Sequence, residues 1–190
     1  LSATAERVRA IHALVAFGAA VPGAQARLDR ALDLLRPLLD AWPPHGVVAE
    51  RSPSDQLASL RGLIGIRSVL AAAHHEPPPA LEAAIARAGH ALAALRHGDG
   101  GLALFHGGVE EDRRMIDVAL ALSGAAAAVP HAFSGGFERA AAGETLLLID
   151  AAPPPPRGHD GGAHAGMLSF ELGVGAQRLV VNCGAYHGRD

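Results

Sequence analysis

Lysine is absent from this chain, and all 16 basic residues are arginine. That absence excludes lysine as a Schiff base or general base. The basic residues are outnumbered by 19 acidic ones, for a formal net charge of −3. There is no long basic run and no basic patch interleaved with aromatics, which argues against nucleic acid as the main partner. The single cysteine, Cys183, can form neither an internal disulfide nor a thiolate metal cluster. Aromatic residues make up only 4% of the chain, so a core must be built from Leu, Val, Ile and Ala. Charge or glycine breaks every apolar stretch short of the roughly 18 residues a membrane span needs, so no transmembrane segment is expected. The chain opens on Leu1-Ser2 with no positive segment ahead of an apolar stretch, and reads as a processed product or a fragment.

What is present in quantity is alanine, at 41 of 190 residues, within a composition that is 49% hydrophobic and 18% charged. This balance excludes wholesale disorder. It also favours helix while supplying little buried area per residue.

The first half reads as helices. Residues 3–19 place Val8, Ile11 and Val15 on one side. Residues 24–41 carry Leu28, Leu32, Leu35 and Leu39 as a stripe, with Pro37 expected to interrupt and kink the helix because it has no amide to donate. Residues 42–52 read as a loop. Ser52-Pro53-Ser54-Asp55 is the clearest helix start, with a side-chain cap, a proline suited to the first position and a carboxylate in the positive first turn. That helix is expected to reach Ala73. Two more are expected over 79–96, with Leu81, Ile85, Ala88 and Leu92 aligned, and over 110–122.

Beyond Val129 the helical period vanishes. Phe137–Ala141 and Thr145–Ala151 predict one hairpin. Leu168, Phe170, Leu172 and Val174 alternate with Ser169, Glu171 and Gly173, predicting a strand whose buried face carries the first set and whose solvated face carries Glu171. Gly175-Ala176-Gln177 then returns the chain to Arg178–Asn182 in a second hairpin. Helices first and antiparallel sheet afterwards is an α+β arrangement, with the boundary expected near 125–135, and it disfavours a parallel dinucleotide-binding fold.

Candidate chemistry is scattered. His97-Gly98-Asp99-Gly100-Gly101 lacks the preceding strand and following helix of a phosphate-binding loop and reads as a turn after a helix. His97, Asp99 and His106 could line a cleft. His164 lies on a small-residue loop, Gly161 to Gly166, at a sheet edge, with Asn182 on the neighbouring strand. One histidine and one amide fall short of a metal site, which usually needs three suitable protein ligands. His159-Asp160 reads as a local pair. Arg51 reads as a surface arginine or a carboxylate-binding group at a cleft rim. Tyr186, the single tyrosine, is a packed ring or a cleft hydroxyl.

Taken together, the segments Arg96-to-Phe105, Ser134-Gly135-Gly136-Phe137, Thr145-to-Asp150, Ala163-to-Leu172 and Val180-Val181-Asn182-Cys183-Gly184 resemble the heparinase II/III-like polysaccharide lyase family, and Glu50-Arg51-Ser52-Pro53 adds a weaker likeness. The resemblance implies a partial α/α toroid-like helical domain over 1–130, followed by the N-terminal part of an antiparallel β-sandwich domain over 131–190. It implies β-elimination on a uronic-acid-containing acidic polysaccharide, in the cell envelope or periplasm. Elimination needs a base near the proton beside the uronate carboxylate, a donor near the leaving oxygen, and groups that neutralise the carboxylate. On this likeness His164 and Arg51 are the catalytic candidates, and His106, Asp99 and Tyr186 would bind substrate. His164 and Asn182 occupy positions at which zinc-containing members have ligands. The chain departs from the family pattern at Val48, Ser52, Gly162 and Asn182, where the family commonly has His, Asn, His and Asp. A catalytically silent carbohydrate-binding or cell-envelope structural relative is the alternative implied by those departures.

Overall fold

The computed structural model describes residues 4–125, 135–163 and 166–183. Within them the architecture is α+β, with five helices followed by a four-stranded antiparallel sheet. The helices are α1 (Thr4–Ala20), α2 (Gln25–Asp40), α3 (Pro53–Ala72), α4 (Pro79–Ala94) and α5 (Arg113–Ser123). Each buries the side the apolar spacing foretells: Val8, Ile11 and Val15 on α1, Leu28, Leu35 and Leu39 on α2, and Leu81, Ile85, Ala88 and Leu92 on α4. These side chains join Leu57, Leu60 and Leu63 of α3 and Ile116 of α5 in one apolar core. The central helix is α3, which packs against α1, α4 and α5. Gly62 gives α1 its close approach, since a Cβ there would stand 2.5 Å from Val8 Cγ1.

The helix ends follow local chemistry. Ser52 Oγ accepts the Asp55 amide at 3.4 Å and Pro53 takes the first helical position, as the sequence predicts. Pro37 does not break α2, which runs on to Asp40. The fifth helix begins later than its apolar pattern suggests because Asp112 is its cap, accepting the Arg114 amide at 2.8 Å, and Gly124 closes it in a left-handed turn at φ +70°.

The strands β1 (Phe137–Ala142), β2 (Thr145–Asp150), β3 (Phe170–Val174) and β4 (Gln177–Val180) form a meander in sequence order. Its register aligns Arg139, Leu148 and Glu171 across three strands, and Leu146, Gly173 and Arg178 one step along. That side faces the helices, with Phe137, Leu146 and Leu148 packing on Val47, Ala91, Leu95, Ala103 and Phe105. The burial expected for β3 is therefore reversed. Glu171 is fully buried, whereas Phe170 is 46% exposed and Val174 also faces outward. Leu168 belongs to the preceding turn, at φ +65°. Period-two alternation fixes two faces but not which one is covered, and here the covered face is the one whose charges find partners on the helical side.

Candidate functional site

Three loops meet where the helices join the sheet: residues 45–52 ahead of α3, residues 96–112 between α4 and α5, and residues 151–163 between β2 and β3. The inward side of the sheet sends one charged residue from each strand into this junction: Arg139, Asp150, Glu171 and Arg178. Each has a specific answer.

Asp150 is 1% exposed and is met by Arg51, whose guanidinium pairs with Oδ1. The same guanidinium donates to the Gly136 carbonyl at 2.7 Å and to the Pro153 carbonyl, and stacks over the Phe137 ring at 4.8 Å. His106 Nε2 stands 2.7 Å from Asp150 Oδ2, at ion-pair distance but without hydrogen-bond alignment. Both Arg51 and His106 sit in left-handed backbone, at φ +55° and +47°. Such conformations persist in non-glycine residues only where the surroundings hold them. Here the shared carboxylate does so.

Glu171 accepts the Leu104 amide at 2.7 Å and the Asn182 amide at 3.2 Å on Oε1, while Oε2 lies 2.6 Å from His97 Nε2. Three partners offset the cost of burying this carboxylate. His97 Nδ1 is buried and has no partner among the described residues. Arg139 donates to the carbonyls of Ala94 and Arg96 at 3.0 Å each, placing positive charge at the C-terminal end of α4. Burial lowers the pKa of this guanidinium. At the rim, Arg178 forks onto both Asp99 oxygens at 3.1 and 3.2 Å and reaches Glu110 at 2.9 Å, and Arg113 adds a further contact to Asp99 at 2.8 Å. Burial on its own would raise the Asp99 carboxyl, but the Gly101 amide and the two arginines outweigh it and hold Asp99 below the usual range.

A fifth contact crosses the junction at its other end. His159 Nδ1 lies 2.7 Å from Glu50 Oε1, which also accepts the Thr4 amide at 2.6 Å. Glu50 is buried, with Oε2 unpartnered among the described residues, while the His159 ring is partly open to solvent. Nearby, Asp55 is pushed up by burial and by the charges of Glu50 and Glu6.

The structure thus brings Arg51 and His106 together on one buried carboxylate and places Asp99 in a separate arginine cluster. Asn182 donates its side-chain amide to Ser169 Oγ at 3.4 Å beside Glu171. His164 and Tyr186 lie outside the described residues. The loop leading to His164 does reach the junction, because a Cβ on Gly162 would stand 3.0 Å from the His106 carbonyl oxygen. No group of three His, Cys, Asp or Glu side chains able to hold a metal occurs among the described residues. Asn182, the strand member of the implied zinc pair, offers a neutral amide where zinc takes a carboxylate, imidazole or thiolate, so the described donor set does not fit zinc. His97, expected to line a cleft with Asp99 and His106, meets Glu171; Asp150, the inward placement of Glu171 and the Glu50–His159 contact escape sequence reading, since each is a pairing of distant residues with no local spacing to announce it. In place of the local pair expected with Asp160, the His159 ring turns to Glu50.

Residues 125–190 match the family model described as heparinase II/III-like, C-terminal. The matched segment begins where helical periodicity ends and contains all four strands. It agrees with the likeness carried by Ala163-to-Leu172 and Val180-to-Gly184 and covers roughly the C-terminal third of the chain. No curated protein and no solved structure shows significant similarity to the chain. None of its helices is long and apolar enough to cross a membrane, among the described residues.

Proposed function

We propose that this chain is part of a polysaccharide lyase-like protein acting on a uronic-acid-containing acidic polysaccharide by β-elimination, with the helix–sheet junction flanking its cleft. The observation that carries the reading is the heparinase II/III-like match over the sheet-bearing segment. The meeting of helical-side loops with the loop before His164 supports it, since a polymer-cleaving site needs groups from both layers around one bond. In this reading residues 1–130 form the toroid-like domain and residues 131–190 open the sandwich. The outward face of the sheet, with Leu147, Ile149, Phe170, Leu172 and Val174, suits a second apolar layer.

His164 is the sheet-side group assigned to the reacting sugar, and Tyr186 a substrate-binding group. Arg51 is committed to Asp150 and two carbonyls, so its part is to hold the loops in place rather than to meet the substrate carboxylate. Asp99 and His106 serve the junction in the same way. No step is assigned to a metal. The working place is the cell envelope or periplasm, where such polymers are processed.

The reading is tested by incubating the full-length protein with acidic polysaccharides and following the ultraviolet absorbance of unsaturated uronide ends. The expected result is a rise in absorbance with shortening of the polymer. A second reading, a catalytically silent carbohydrate-binding relative, is favoured by the burial of Val48 and by the commitment of Arg51. Saturable glycan binding without unsaturated product would establish it instead.

A further inference from the structure

We propose that Glu50 and His159 form a carboxylate–imidazole dyad in which His159 is the catalytic base and Glu50 the residue that positions it, an assignment resting on the lyase reading above. The two residues are 109 positions apart, one ahead of α3 and the other between β2 and β3, and they meet across the junction at 2.7 Å. Their burial is asymmetric. The carboxylate end is 7% exposed and the imidazole 26%. A solvated surface ion pair exposes both partners, whereas an oriented base has its carboxylate inside and its ring at the opening.

The role requires one tautomer. Glu50 Oε1 accepts the Thr4 amide at 2.6 Å, and as a carboxylate it accepts from the facing ring nitrogen as well, so that Nδ1–H donates to Glu50. In that tautomer a neutral ring carries its lone pair on Nε2, for which no protein partner occurs among the described residues. Glu50 Oε2 is buried and unpartnered. Leaving such an oxygen dry costs stability, and that cost is the kind a site retains for function rather than for folding.

Both halves of the dyad are held by their own loops. The His159 amide donates to the Pro156 carbonyl at 2.9 Å, the Ala163 amide to the Asp160 carbonyl at 3.0 Å, and Gly162 rests against the His106 carbonyl. On the other side, Glu50 directly precedes Arg51, which is anchored on Asp150. The charge of Glu50 is felt by Asp55, on which Glu6 and Arg9 also act, and Asp160 adjoins His159 in sequence.

The step balances without a co-reactant. The uronate C5–H bond breaks as Nε2–H forms, its electron pair becomes the C4=C5 double bond, and the C4–O bond breaks. The imidazolium then returns the proton to the departing glycosidic oxygen. Nothing is oxidised or reduced.

The test uses the full-length protein with alginate, polygalacturonate, heparin and chondroitin sulfate as probes, and reads kcat and KM for unsaturated-end formation. His159→Gly is expected to lower kcat by about a hundredfold or more with KM little changed, and added imidazole to restore part of the rate. Glu50→Gln is expected to lower kcat by about tenfold or more, and thermal melting reports whether each variant is folded. Folded His159→Gly and His159→Gln proteins that keep the parent kcat would overturn the dyad and leave the lyase reading standing. Loss of rate in His159→Gly with no imidazole rescue would also count against it. Absence of unsaturated product from the parent protein on all four probes would overturn the lyase reading and the dyad with it.

Discussion

Between α1, α3 and α5 the buried contacts are made by Val8, Leu60, Leu63 and Ile116, all apolar and all on helical spacing. Where the sheet meets the helices, an apolar patch around Phe105 and Phe137 is ringed by Arg51–Asp150, His97–Glu171 and Arg178–Asp99. The first region is stabilised by area removed from water and tolerates apolar side chains of similar volume. The second depends on partners. A buried carboxylate that keeps its arginine is close to neutral for stability, while one that loses it is costly. The helical layer is thus a general-purpose core, whereas the junction is specific: it fixes which loops face one another, and so where a site can form.

Substitutions in the full-length protein, with stability read from denaturant unfolding, separate the two regions. Asp150→Ala strands the Arg51 charge and leaves His106 facing a void, and should cost about 3–5 kcal/mol. Leu60→Ala in the helical core should cost about 2–5 kcal/mol through lost transfer energy and a cavity, with little dependence on pH. At the rim the expected effect is smaller and pH-dependent. Asp99 is held below its ordinary value of 3.8, so its pairing stabilises the folded chain above that pH, and this contribution is lost as pH falls through the lower folded value. Asp99→Asn should therefore lower stability at neutral pH and flatten the acid limb of the stability curve. The exposed pair Arg67–Glu82, at 3.1 Å, sets the lower bound: Glu82→Gln should change stability by no more than about 0.5 kcal/mol, and less in high salt.

How far each region could be read from the sequence follows from the same contrast. The helices announce themselves because their apolar residues recur at fixed local intervals, and Ser52-Pro53 marks a start through neighbours within a turn, whereas the cap at Asp112 sits inside the span the apolar pattern suggests for α5. Both hairpins are legible through Gly143 and Gly175, which sit at positive φ in two-residue turns. The buried face of β3 was not legible. Leu168, Phe170, Leu172 and Val174 look like a core face, and only the distant partners His97, Leu104 and Asn182 explain why Glu171 goes inside. For the site, Arg51 and His106 stand out as residues, yet the carboxylate that joins them is 99 positions from Arg51. For Glu50 and His159 nothing local signals their contact with each other. Pairings of that range are set by topology, and an amino-acid pattern read in windows does not contain them.

A double-mutant cycle on Arg51 and Asp150, using Arg51→Met, Asp150→Leu and the double variant, tests the claim that paired charges join the sheet to the helices. The account predicts that each single change costs about 3–5 kcal/mol and that the double change costs far less than their sum, because the second substitution removes the charge the first one stranded. Single costs that simply add would contradict it, and would mean that the two side chains do not depend on each other in the folded chain.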